Sequence, residues 1–390
     1  MKPFVSCHDR KIKMNWWLSW VLWISVPLAN ASDVPTGTGS GRPSVPEKLA
    51  PYFHPPREFA EDMGNYRSPL RFYDGRPVNT PEEWKQRRQE ILDTWHGLMG
   101  KWPPLIEKPA IEILGEETVE GIVRKKVTVE ITPRDGTIPG YLLIPDVQPP
   151  WPAVIVVFYD PETGAGLGRE RLDFGLQLAK RGFAALSVGM PASLYYPDKT
   201  KAELQPLSAL AYAAANCYNA LVTVPGVDPA RVGITGHSYG GKWAMFAACL
   251  YDKFACAAWS DPGIVFDETR PNVNYWEPWY LGYEWGIERE RGVPAHDNPR
   301  TGAYKKMIED GFDLHELHAL MAPRPFLVSG GSEDPPERWK ALNHTVAVNR
   351  LLGYENRVAM TNRPSHAVTD ESNDILFLFF EHFLKNAGRP

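Results

Sequence analysis

The 390-residue sequence predicts an α/β fold, with a mostly parallel central sheet flanked by helices, an N-terminal helical extension and one long insertion. Three observations predict it. From about residue 120, short apolar runs alternate with segments of helical periodicity, as strands joined through crossover helices do. Residues 153–158 are apolar without a break, as a strand covered on both faces requires. The pentapeptide Gly236-His237-Ser238-Tyr239-Gly240 has the form G-x-S-x-G and stands between a strand-like and a helix-like stretch.

The elements follow in order. Residues 125–131 and 138–144 read as a hairpin around Asp135-Gly136, and 153–158 as the first buried strand. A helix near 169–181 leads to a strand at 183–188, and a helix at 207–222 leads to the strand 231–235 before Ser238. The helix 242–250 follows, then strands at 254–259, 325–329 and 357–361. Helices near 337–352 and 370–384 complete the alternation. Ligands of such sheets bind at the carboxyl ends of the strands.

Ahead of this domain, assigned to residues 120–390, the chain divides into three parts. Residues 1–31 read as an export signal: Lys11 and Lys13 precede the apolar stretch 16–28, and Ala29-Asn30-Ala31 fits the small-x-small cleavage pattern. Cleavage after Ala31 predicts a secreted or periplasmic protein. The short apolar stretch, interrupted by Pro27, predicts no stable membrane association. Residues 32–50, rich in Gly, Pro, Ser and Thr, read as a flexible tether. Residues 51–119 read as an extension packed on the core. Thr80-Pro81-Glu82-Glu83 is a capping box that opens a helix with Trp84, Ile91, Trp95 and Leu98 on one face.

Composition excludes some functions. The net charge is −5 and no basic run is long enough to bind nucleic acid. Cys7 falls in the signal, and Cys217, Cys249 and Cys256 sit among apolar residues, so no disulfide framework and no zinc site is implied.

One stretch breaks the rhythm. Residues 264–320 separate two strands by more than one crossover helix needs, and they carry Phe266, Tyr275, Trp276, Trp279, Tyr280, Tyr283 and Trp285. They read as a lid or a substrate-binding wall, with Trp276 and Trp279 as substrate contacts.

Ser238 on a sharp strand-to-helix turn suits a nucleophile, and a serine hydroxyl needs a base and an orienting carboxylate. The loop after the last strand offers His366 as the base. The loop after the preceding strand offers Asp334 as first choice for the acid and Glu333 as runner-up, with Asp261, one strand earlier, as another candidate. An oxyanion would take the N–H of Tyr239 and that of Tyr159 or Asp160. Such chemistry needs no metal or cofactor.

With these residues in place, the chain resembles the α/β-hydrolase superfamily over about residues 120–388. Within it, the likeness is to the dienelactone-hydrolase-like and carbohydrate-esterase branches, including glucuronoyl and acetyl xylan esterases. Gly236-His237-Ser238-Tyr239-Gly240-Gly241-Lys242 is similar to the G-C-S-R-x-G-K of glucuronoyl esterases, and Ala322-Pro323-Arg324-Pro325-Phe326-Leu327-Val328 to the strand before the acid in xylan-directed esterases. The resemblance implies that Lys242 contacts sugar hydroxyls. Here Tyr239 stands where those enzymes carry an oxyanion-binding arginine, and His237 replaces their cysteine. The expected function is a secreted serine esterase acting on acetyl, uronate or feruloyl esters of plant polysaccharides or their fragments. A prolyl-oligopeptidase-like peptidase is a rival, although residues 51–119 are too few for its propeller. A non-catalytic binding protein on the same scaffold is another.

Overall fold

The computed structural model describes residues 44–132, 136–190, 203–271, 275–277 and 279–385. The expected signal at 1–31, most of the expected tether and Asp135 of the expected hairpin turn lie outside them. The last residues assigned to the tether are part of the folded unit: Leu49 is fully buried, and Phe53 joins it in the apolar core.

Helix α1 (Pro81–Met99) begins at the capping box. The Thr80 hydroxyl accepts from the Glu83 N–H at 3.1 Å, and the Glu83 carboxylate accepts from the Thr80 N–H at 3.1 Å. The helix buries Trp84, Arg87, Ile91, Trp95 and Met99. Strand β1 (Ile111–Val119) follows. It is solvent-exposed along most of its length and pairs antiparallel with β2 (Ile122–Thr132). The sheet therefore starts inside the segment assigned to the extension. An exposed edge strand needs no apolar alternation, and Ile-Glu-Ile-Leu-Gly-Glu-Glu-Thr-Val shows none. Strand β3 (Gly136–Ile144) completes the hairpin with β2, pairing Val129 with Ile138.

The buried, parallel part of the sheet comes next. Strand β4 (Trp151–Phe158) leads through α2 (Pro161–Gly164) and α3 (Phe174–Lys180) to β5 (Ala184–Gly189). Helix α4 (Pro206–Leu221) leads to β6 (Val227–His237), and α5 (Tyr239–Leu250) to β7 (Cys256–Ser260). Helices α6 (Gly302–Glu309) and α7 (His315–Ala319) lie in the long insertion before β8 (Phe326–Gly330). Helix α8 (Trp339–Leu351), β9 (Val358–Asn362) and α9 (Asp370–Phe380) close the fold. The strands order as β1-β2-β3-β5-β4-β6-β7-β8-β9, parallel from β5 to β9.

Alternation along β4 divides the core. Ala153, Ile155 and Val157 face one apolar layer with α1, α4 and α5, whereas Val154, Val156 and Phe158 face the other with α3 and α9. Helix α4 is buried along its whole length, because residues 102–106 strap over its outer face. Trp102 donates to Ser208, Tyr212 to the Pro104 carbonyl, and Asn219 to the Ile106 carbonyl, while Asn216 accepts from the Ile106 N–H. Cys217, Cys249 and Cys256 are free thiols in this core, and burial pushes all three up. Among the described residues, no helix is long and apolar enough to cross a membrane.

The chain leaves β4 for β5 on one side and returns to β6 on the other. The carboxyl ends of β4 and β6 therefore form the switch point at which open α/β sheets bind ligands. Tyr159 follows β4 there, and Ser238 follows β6.

Candidate active site

Ser238 has φ 59° and ψ −122°, a conformation that non-glycine residues rarely adopt. Its neighbours make the turn possible. A Cβ on Gly240 would collide with the Val157 carbonyl, and one on Gly236 with the Gly240 carbonyl. The two glycines of the motif thus let α5 start hard against β4 and β6. The Ser238 N–H is fixed by the Ser260 carbonyl at 2.8 Å.

The Ser238 hydroxyl lies 2.9 Å from Nε2 of His366, in the loop after β9. The other ring nitrogen, Nδ1, lies 2.7 Å from Oδ2 of Asp261, the residue after β7. The structure therefore brings together the expected serine and histidine with the third-ranked acid. Asp334, the first choice, is fully buried and turned elsewhere: its carboxylate accepts from the Gly263 and Ile264 N–H groups at 2.8 and 2.6 Å. Glu333, the runner-up, accepts from Arg270 and Ser332.

The loop carrying those two carboxylates serves Asp261 through its backbone. The N–H groups of Gly331, Glu333 and Asp334 donate to Asp261 at 2.6, 3.1 and 3.0 Å. Position 331 has to be glycine, since a Cβ would sit 2.6 Å from the Asp261 carboxylate. Asp261 itself has φ 47°. Each strand-end aspartate is thus held by the backbone of the other's loop. Burial works to raise Asp261, but the His366 hydrogen bond, the Arg363 guanidinium and the backbone donors outweigh it and hold the carboxyl below its ordinary value. Burial, reinforced by the charge of Asp261, pushes Asp334 up to about 6.

Comparison with known proteins finds glucuronoyl esterases both among sequence relatives and among solved structures. No family model matches the chain. It is 25% identical to 4-O-methyl-glucuronoyl methylesterase 1 of Wolfiporia cocos, over 81% of this chain and 80% of that one. It is 27% identical to a 4-O-methyl-glucuronoyl methylesterase of Schizophyllum commune, over 66% of this chain and 64% of that one. Among solved structures, a glucuronoyl esterase from Solibacter usitatus superposes with a TM-score of 0.64 at 19% identity, covering 82% of this chain and 97% of that chain. The chain has the α/β-hydrolase fold. Among proteins of this fold it resembles carbohydrate esterases, and its relatives are named as glucuronoyl methylesterases, which are carboxylic ester hydrolases.

The remaining residues of this hydrolase site fall into two groups. Lys242, one helical turn beyond Ser238, is buried, with its ammonium 4.9 Å from the Tyr280 ring centre and 5.0 Å from that of Tyr275. Burial lowers it to about 8, against the opposing pull of Asp334, Glu333 and Asp261. Tyr239 stacks on Tyr159, which is half exposed, and donates its hydroxyl to the Trp279 carbonyl at 2.6 Å. Val157 pairs with Gly236, so the backbone of Tyr159 and Asp160 leaves the sheet beside the elbow. The Asp160 side chain caps α2 by accepting from the Thr163 N–H.

Trp276, expected to contact substrate, lies away from any surface. It is fully buried in the insertion, against Tyr304, and cannot touch a substrate. Trp279 is half buried, bonded through its indole N–H to Glu277 and faced by the Arg291 guanidinium at 4.7 Å. His237 precedes the nucleophile in the chain. Its ring centre lies 4.6 Å from that of His366, and its Nδ1 lies 3.0 Å from the Ser260 hydroxyl. Burial, the neighbouring His366 and the Arg363 cation lower His237 to about 3, so it stays neutral. Among the described residues, no group of three or more His, Cys, Asp and Glu side chains is arranged to hold a metal ion.

Proposed function

We propose that this protein is a secreted serine esterase that cleaves uronate esters of plant polysaccharides or their fragments through an acyl-enzyme. The observation that carries this reading is the unbroken chain of hydrogen bonds from Ser238 through His366 to Asp261. His366 takes the proton of the Ser238 hydroxyl as its oxygen attacks the ester carbonyl. Asp261 fixes the imidazole and stabilises the imidazolium that forms. The N–H of Tyr239, with that of Tyr159 or Asp160, receives the developing oxyanion. The imidazolium then protonates the leaving alcohol. Water, deprotonated by the same imidazole, releases the acid and restores Ser238.

The two curated relatives, both named 4-O-methyl-glucuronoyl methylesterases, support the uronate ester over acetyl and feruloyl esters. Lys242 supports a sugar ligand, as a buried ammonium set against two tyrosine rings beside the nucleophile. Export rests on the sequence signal at residues 1–31.

The decisive experiment measures hydrolysis of p-nitrophenyl acetate, a benzyl or methyl glucuronate ester and acetylated xylan by the wild type and Ser238→Ala. The wild type should turn over the glucuronate ester best, and Ser238→Ala should fall to background on all three. Equal background rates in both proteins would sink the esterase reading. Preference for acetylated xylan would replace the substrate and keep the mechanism.

A further inference from the structure

The segment that carries His366, between β9 and α9, forms no regular element. A surface loop of this kind opens easily unless something ties it down. Arg363 ties it down. It is 5% exposed, and its side chain binds both the loop and the sheet. Nε donates to the Ala367 carbonyl at 2.8 Å, and Nη2 donates to the His366 carbonyl at 2.9 Å. On the other side, Nη1 donates to the carbonyls of Ser329 and Gly330 at 2.7 and 3.1 Å. The hydroxyls of Ser329 and Ser260 accept at 3.2 and 3.3 Å. One planar guanidinium therefore joins the ends of β7 and β8 to the backbone carbonyls of His366 and of the residue after it.

All of these partners are neutral. A buried cation surrounded by carbonyls and hydroxyls costs free energy through desolvation, so its charge calls for a counterpart nearby. That counterpart is Asp261, whose carboxylate is stabilised by the cation across the end of the sheet. We propose that Arg363 is a positioning residue for ester hydrolysis: it fixes His366 between Ser238 and Asp261 and holds a positive charge near Asp261, the carboxylate that orients the base. The proposal rests on the esterase reading above.

The groups that face His366 are Ser238 and His237 from the β6–α5 elbow, Asp261 from the end of β7, and Arg363 from its own loop. Asp334 and Glu333, on the loop after β8, reach it through Asp261, and the Lys242 cation of α5 shares those carboxylates. Of these charges, only the Arg363 cation is altered by substitution at 363.

The test compares the wild type, Arg363→Lys and Arg363→Met on p-nitrophenyl acetate from pH 5 to 9. Active sites are counted by titration with a serine-directed phosphonate, so that misfolded protein is discounted. Lysine keeps the charge and loses the fork. It should lower kcat roughly 10- to 100-fold with KM little changed, as small misplacements of a catalytic group do. Its acid limb should stay where it is in the wild type. Methionine should lower kcat at least as much and move the acid limb to higher pH, because Asp261 loses the cation that helps to keep its carboxyl ionised. Wild-type kcat per active site in Arg363→Lys would overturn the positioning role, and this variant decides even if Arg363→Met does not fold. An unmoved limb in folded Arg363→Met would overturn the role of the charge. Absence of turnover in the wild type itself would remove the esterase reading and this inference together.

Discussion

At the scale of single residues, the site turns on which of two aspartates serves the histidine. Sequence order alone does not separate them, because Ser238, then either Asp261 or Asp334, then His366 all fit serine, acid, histidine. What separates them is the direction of each carboxylate, and that depends on backbone donors from a neighbouring strand end. Asp261→Asn should cut kcat by about 10⁴-fold, since an amide no longer holds the productive tautomer of His366. Asp334→Asn should keep kcat within about tenfold of the wild type, because its carboxylate is engaged by the Gly263 and Ile264 N–H groups and not by His366. Steady-state kinetics of both variants check this. A larger kcat loss in Asp334→Asn than in Asp261→Asn would reverse the assignment.

At the scale of elements, the insertion between β7 and β8 is built as core on its inner side. Tyr275, Trp276 and Tyr304 are fully buried, and Tyr280 nearly so, whereas Trp285 is largely exposed. Trp276→Ala should therefore destabilise the fold by about 3–5 kcal/mol, as removal of a fully buried indole does. A melt showing unchanged stability with only a raised KM would return Trp276 to the substrate-contact role expected from the sequence. The same contrast explains what the sequence made legible. Strand β4 was readable because it is apolar throughout, strands β6, β7, β8 and β9 because each carries a short buried run between helices, and α1 because its capping box is local chemistry. Strand β1 was not, because its partner supplies the pairing and solvent covers its faces. The elbow serine and the loop histidine were readable from motif and order. Arg363 was not, since nothing in Asn362-Arg363-Pro364 signals that its guanidinium turns inward to six acceptors.

At the scale of the whole molecule, buried ionisable groups make stability depend on pH. Burial lowers His237, His315 and His318 to about 3 from 6.5. The unfolded chain takes up these protons below pH 6.5 and the folded one only near 3, so the three histidines remove stability as pH falls through that window. Burial raises Asp313 to about 7 and Asp334 to about 6 from 3.8. Their contribution is complete below pH 3.8 and fades as pH rises through 6 to 7, so it opposes the histidines above pH 4 and no longer changes below it. Tm should fall gently from pH 7 to 4 and steeply from 4 to 3. Calorimetric scans across this range test it, and a level Tm down to pH 3 would contradict neutral buried histidines. One further contact has a kinetic consequence. The Tyr239 hydroxyl, on the helix that begins at the nucleophile, is bonded to the Trp279 carbonyl of the insertion. A wall anchored to the reacting helix cannot swing away from it as a separate gate. Substrate entry should then contain no opening step, so product should accumulate linearly from mixing, without a lag, on soluble and polymer-bound esters alike.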